Sequence, residues 1–418
     1  MKKILSTILT SLICLQINAQ ETTHYSDGLT QFEADASYAS GTDWHELFAD
    51  YHPEMYNYPI GKYRKIIVDE KGNIFMTQKT NHTIYKFSPT GHKIKNIGSH
   101  GSGKGQFPML PSVKGIIDGK YIYTTDVQGR IRIFNLNGTF YKSAQIDYMP
   151  LESVPLKNNM IAILGHVPMG GGDVRNVITI KDINTGKETT IWKKDKSFEK
   201  SNSKTIIVDL EDKGMISFGQ LFSNPKFFRP QISATRDGNL LVGFPRTGII
   251  EVYSSSGQKL KSFELDIEVL QITEADKLDY YESALAKAKE IESSIKKNKR
   301  YNESEKKKMI EGYYEGVEML KDPHYYPPNL PYFAEILVDD QNNLWVVKYS
   351  KMEASESFQL YSFSEDGKYL GTSTVQCNNY KIVLNPDQIQ FHNGGVIALV
   401  LDKNDKEIPI RLAKFKLH

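Results

Sequence analysis

Two cysteines in 418 residues cannot build a disulfide framework or a multi-cysteine zinc site. An excess of one charge is also missing: 52 Lys plus Arg stand against 50 Asp plus Glu, a formal +2. A broad nucleic-acid surface needs surplus cations to displace counterions, so no nucleic-acid partner is expected. Long apolar runs are lacking as well. The longest beyond the N-terminus, Val396 to Leu401, is strand-sized, far short of the ~18 residues of a spanning helix. Ten histidines form neither an H-E-x-x-H pair nor a close cluster, so no metal is expected, and no cofactor. Gly98 to Lys104 starts like a phosphate loop. Gly105 stands where Ser or Thr would hold magnesium, and Phe107-Pro108 leads into a strand instead of a helix.

The N-terminus reads as an address. Lys2 and Lys3 precede a short apolar stretch, Ile4 to Ile17, and Ile17-Asn18-Ala19 offers a cleavage site, so a signal peptide over 1–19 is expected, with a periplasmic or secreted product. Cys14 would serve a lipoprotein, but Ile13 occupies the position that needs a small residue. Cleavage after Ala19 removes two lysines and one cysteine, which leaves a formally neutral chain with Cys377 alone, a residue expected to be buried.

What the chain has in quantity is punctuated β-sequence. From Ile66, I-I-V-D-E-K-G-N-I-F-M-T is followed by T-I-Y-K-F-S-P-T-G-H-K-I, which reads as four strands joined by tight turns. The pattern recurs from Gly115, Ser233 and Ile336, with weaker copies near Asn159 and Gly394. Spacings between the equivalent turn residues Gly72, Gly119, Asn159, Gly238, Asn342 and Gly394 are 47, 40, 79, 104 and 52. Three match a four-stranded propeller blade, and the two long steps carry insertions at about 193–228 and 266–332. The expected fold is therefore all-β: a six-bladed propeller over 44–418 after a lead-in at 20–43, with a segment near Trp44 to Asp50 as the closing outer strand. In the larger insertion, Thr273 and Asn302 each cap a predicted helix, which gives a helical hairpin between blades four and five.

The stretch I-G-S-H-G-S-G-K-G-Q-F-P from Ile97, followed by G-I-I-D-G-K-Y-I-Y-T-T-D, resembles an NHL-type repeat. The stretch P-Y-F-A-E-I-L-V-D-D-Q-N-N-L-W-V from Pro331 is similar to a family of exported six-bladed, TolB-like propellers abundant in Bacteroidetes. That resemblance implies an exported propeller, in a family whose members often accompany polysaccharide-utilisation systems.

In such a fold the long inter-blade segments and the loops between second and third strands share one face, the default place for a site. The binding candidates there are Lys79, Asp126, Arg130, His166, Arg246, Lys348 and Tyr349, with Gln78, Asn81 and Asp402 on equivalent loops. His82 and His100 fall on the same face. The glycines at 165 and 170–172 suggest a mobile loop, or one where backbone approaches a ligand closely. Two functions remain open. The first is a monomeric recognition module for a glycan or protein ligand. The second is a polysaccharide lyase or glycoside hydrolase at the channel mouth, for which His166, Arg246 and Tyr349 are the catalytic candidates.

Overall fold

In a computed structural model, the described residues are 28–48, 65–77, 81–170, 173–193, 207–209, 215–217, 229–349, 357–382 and 386–417. The expected signal peptide over 1–19, and with it Cys14, lies outside them. The first elements are a strand, β1 (Gly28–Ala34), and a short helix, α1 (Trp44–Leu47). Four antiparallel four-stranded sheets follow, consistent with propeller blades. The first holds β2 (Lys65–Val68), β3 (Ile74–Thr77), β4 (Ile84–Phe87) and β5 (Lys93–Ile97). The second holds β6 (Ser112–Ile117), β7 (Tyr121–Thr125), β8 (Arg130–Asn135) and β9 (Phe140–Gln145). The third holds β10 (Met149–Pro155), β11 (Met160–Gly170), β12 (Asp173–Asp182) and β13 (Glu188–Lys193). A two-stranded ribbon, β14 (Ile207–Asp209) and β15 (Met215–Ser217), precedes the fourth sheet: β16 (Gln231–Ala234), β17 (Leu240–Phe244), β18 (Ile249–Tyr253) and β19 (Lys259–Glu264). Helices α2 (Glu274–Lys297) and α3 (Glu303–Met319) come next.

The remaining strands form one nine-stranded sheet. Its first part is β20 (Phe333–Val338), β21 (Leu344–Lys348), β22 (Ser357–Phe363) and β23 (Tyr369–Gln376), and its second is β24 (Tyr380–Ile382), β25 (Ile389–His392), β26 (Gly395–Asp402) and β27 (Ile410–Leu417). Strand β1 joins the two parts. Gly28 to Gln31 run parallel to β23, and Phe32 to Ala34 run antiparallel to β27.

A short turn repeated along the sequence sets the hairpins. An Asp, Ser, Thr or Asn starts it, and three residues later a Gly or Asn returns its backbone N–H to the first carbonyl, as Gly72 does to Asp69 and Asn342 to Asp339. The Asp69 carboxylate also accepts from the backbone of Lys71 and Asn73, and Asp339 from Gln341 and Asn343. The six equivalent turn residues all have positive φ, from 58° at Asn159 to 81° at Gly72, which is why Gly and Asn recur there.

Successive sheets share apolar cores. Phe75 and Ile97 pack with Phe107 and Phe134 between the first and second sheets, and Ile133 with Ile161 and Ile163 between the second and third. Leu164 and Ile178 meet Leu240 and Val242; Leu241 and Val252 meet Phe333 and Val346. Trp345 and Val347 pack with Phe391 and Val396, and a last core joins Ile397 and Leu399 to Ile66 and Phe87 of the first sheet. Cys377 is buried in the core around Trp345, as expected.

The closing element differs from expectation. Trp44 to Leu47 is helical because Asp43 caps it, accepting from the Glu46 backbone at 2.9 Å, and the outer strand beside β27 is β1 instead. The helix still fastens the two ends: His45 Nε2 lies 3.0 Å from Asp405 Oδ2, Arg411 pairs with the same carboxylate, and Phe48 is fully buried beside Leu412. Thr273 and Asn302 cap α2 and α3 in capping boxes with Asp276 and Glu305. The apolar stripe of α2 is only partly covered; Ile295 packs on Met309, whereas Leu278 stays exposed.

Candidate functional site

The first strands of the successive sheets are neighbours: β2 with β6, β6 with β10, β10 with β16, β16 with β20, and β25 with β2. At one end their turns are knitted together. Asn159 N donates to Asp118 Oδ2 at 2.9 Å, and Gly394 N to Asp340 Oδ2 at 2.9 Å. Arg236 reaches both Asp340 Oδ1 and the Phe391 carbonyl, each at 2.7 Å, so one guanidinium spans three strand layers. At the other end the long segments leave. Tyr280 of α2 meets Tyr349, hydroxyl to hydroxyl, at 2.5 Å, and Glu268 lies 3.8 Å from Lys348. Helix α3 approaches β14, which brings the two insertions to the same face.

At that elaborated end a polar position repeats. Seven residues before each of the six turn residues stand Lys65, Ser112, Glu152, Gln231, Glu335 and Asp387. A pleated strand interior flanked by apolar cores favours apolar residues, so a polar residue in all six registers marks a shared environment. Lys65, only 7% exposed, forms an ion pair with Asp387. Arg229, just before β16, donates to Glu152 Oε1 at 2.7 Å. Gln231 donates to the Ala334 carbonyl, and its own Oε1 has no hydrogen-bond partner among the described residues, nor does Ser112 Oγ. Beneath them the Tyr123 hydroxyl donates to Ser153 Oγ at 3.3 Å.

Lys114 joins this group through a β-bulge. The register of β6 on β7 slips between Val113 and Gly115, which leaves Lys114 without a cross-strand partner and re-aims its side chain. It lies within hydrogen-bonding reach of Lys65. Burial, then the Lys65 charge, pushes the Lys114 amine down to about 7, so that near neutrality it divides between amine and ammonium. Lys65 is itself held above the usual lysine range: burial pulls it down, but Asp387 more than offsets that. Asp387 is held low, its burial outweighed by Lys65 and Lys114.

The residues anticipated from sequence are distributed differently. Asp126 is buried and used by its own turn, accepting from Gln128 N at 2.9 Å, Arg130 N at 3.1 Å and Arg130 Nε at 3.1 Å, with Arg132 at 3.5 Å. Asp126 and Arg130 thus brace each other. His166 sits on β11, Arg246 on the β17–β18 turn, and Lys348 and Tyr349 at the end of β21, all half-buried. Lys79 and Gln78 fall outside the described residues. The loop expected over 165–172 is strand as far as Gly170, the end of β11, while residues 171–172 fall outside the described residues, and Gly165 makes room for the Tyr148 ring. Its close approach serves packing. The glycine-rich segment at 98–105 folds on Gln106, which accepts from Gly103 N at 2.9 Å, and leads to a strand as expected. His82 and His100 meet edge to face at 4.3 Å, and no metal-sized cluster of ligands occurs among the described residues. Nor is any helix there long and apolar enough to cross a membrane.

No protein-family model matches the chain, and no curated protein matches it. Among solved structures it is similar to a Bacteroides fragilis protein described as exported, at 11% identity and TM-score 0.48, covering 86% of this chain and 90% of that one. It is also similar to a member of the DUF4221 family from Bacteroides vulgatus, at 12% identity and TM-score 0.47, covering 93% and 96%. A third similarity is to virginiamycin B lyase from Staphylococcus aureus, at 12% identity and TM-score 0.37, covering 85% and 95%.

Proposed function

We propose that the chain is an exported, monomeric six-bladed β-propeller with a helical insertion between blades four and five, and that it is a recognition module binding a glycan or protein ligand at the elaborated end of its central channel. Six positive-φ turns at equivalent positions and six successive apolar cores, the last returning to the first sheet, support the ring. The export reading rests on the sequence of residues 1–19. The observation that carries the binding reading is the charged group of Lys65, Lys114, Glu152, Arg229 and Asp387, in which Lys65 is buried and the others half-buried. Holding charges together at the end of a packed fold costs desolvation, and a fold needing only packing would place apolar residues there. Calorimetric titration against a panel of acidic and neutral polysaccharides and of peptides tests it. Saturable binding to one class is the expected result; no heat with any member contradicts the reading.

A second reading, a polysaccharide lyase, is favoured by one feature: an amine near neutrality, beside a second lysine, can accept a proton α to a substrate carboxylate. Here Lys114 takes the role of base for which His166 and Tyr349 were the sequence candidates. Unsaturated sugar ends appearing on incubation with uronic-acid polysaccharides, and absent with Lys114→Met, would identify it.

A further inference from the structure

We infer that the channel end lined by Lys65, Lys114 and Arg229 binds a carboxylate group of the ligand, with Lys114 as the residue that meets it. This rests on the recognition reading above and names the chemistry recognised.

Three charged groups act on Lys114: Lys65 from β2, Glu152 from β10 and Asp387 before β25; Arg229 before β16 and the Tyr123 hydroxyl from β7 lie beyond them, around Asp387. Both carboxylates already have a cation, Asp387 with Lys65 and Glu152 with Arg229. Lys114 forms no ion pair among the described residues, and its near neighbour is another lysine. Lys114 is thus the member of this charged group left without an ion-pair partner among the described residues. An incoming carboxylate, together with a proton, supplies that partner. The bulge at Val113 and Gly115, which turns Lys114 away from the ladder, puts the amine where that carboxylate would arrive.

A proton must follow. Above neutrality Lys114 is mostly the free amine, so docking is the sum of amine, carboxylate and one proton from solvent, giving an ammonium–carboxylate pair. No bond to carbon forms or breaks.

The test is calorimetry on the mature chain at pH 8 in Tris and in triethanolamine, buffers with different ionisation heats. Two carboxylate sources, trigalacturonate and triglutamate, are titrated separately, each beside its methyl ester. One of the two acids should bind at least about tenfold more tightly than its ester, with uptake of roughly one half to one proton. Lys114→Met should lose that uptake and about tenfold in affinity. Lys114→Gln, with thermal melting of both variants, separates this from misfolding. Equal affinity for acid and ester, binding without proton uptake, or uptake unchanged in Lys114→Met would overturn the inference. So would binding in the wider panel with neither acid bound, which would leave the recognition reading standing. Absence of all binding would remove both.

Discussion

Lys114 ties chemistry to stability at a single residue. With its amine pushed down to about 7 in the folded chain and near 10.4 when unfolded, the unfolded state binds more protons between those values. Stability contributed through Lys114 therefore rises as pH rises across that window and is lowest below it. Urea unfolding at pH 7, 8 and 9 should show a shallower rise for Lys114→Met than for the parent, with the variant at least as stable at pH 7; an unchanged slope would contradict the assigned environment. Asp126 carries the opposite lesson. Sequence marks it as a site candidate because it lies on a loop of the elaborated face, but its oxygens cap the turn and pair with the buried Arg132. Asp126→Ala should lower stability by about 3 kcal/mol, mainly by leaving a buried cation unpaired, as denaturant melts would report. What sequence did offer, in Lys65, Ser112, Glu152, Gln231, Glu335 and Asp387, is a polar residue seven positions before each turn. Charge inside a strand reads locally as an edge or a solvated face, so only the register of the repeats exposes it.

Among elements, the repeated hairpins were the most legible, because an Asp or Ser followed three residues later by Gly acts through its own backbone and needs no distant partner. The closing strand was not. Gly28 to Ala34 has little alternation of its own, and its pairing with β23 and β27, over three hundred residues away, leaves no local mark. Trp44 to Phe48 looks apolar enough for a strand, but its Asp43 cap makes it helical, and its place over the Arg411–Asp405 pair gives it the fastening role by another route. Deleting 28–34 should lower the melting temperature by well over 10 °C, because it removes the outer strand beside β27 and the buried Phe32. A short linker in place of α2 and α3 should cost far less, since these helices pack largely on each other through Ile295 and Met309. Differential scanning calorimetry of the two deletions checks the order, and the reverse order would contradict it. The α1 clamp also sets an acid limit. Partial burial raises the Asp405 carboxyl, but bonds from Ile408 N, Arg411 and His45 outweigh this and hold it at about 2. Its stabilisation is complete above the unfolded value near 4 and lost as pH falls towards 2, so Asp405→Asn should flatten acid unfolding over that range.

At the scale of the whole molecule, the two ends of the successive sheets differ in kind. At one, short turns bond to each other and Arg236 bridges three layers, which leaves little surface to vary. At the other, two insertions converge above a group of paired charges. Sequence indicated that the long segments share a face, because inter-blade connections must leave from one end of the first strands. It did not indicate which side chains come together beneath them, since that depends on how the first strands of separate sheets are brought side by side.

The proposed recognition role places ligand entry at the elaborated end. Affinity of the best-bound member of the glycan and peptide panel, measured for Arg229→Ala at the elaborated end and for Lys368→Ala on the exposed β22–β23 turn at the other end, is the decisive comparison. Loss of about tenfold or more with Arg229→Ala and no change with Lys368→Ala is the predicted result; weakened binding with Lys368→Ala and none with Arg229→Ala would contradict it.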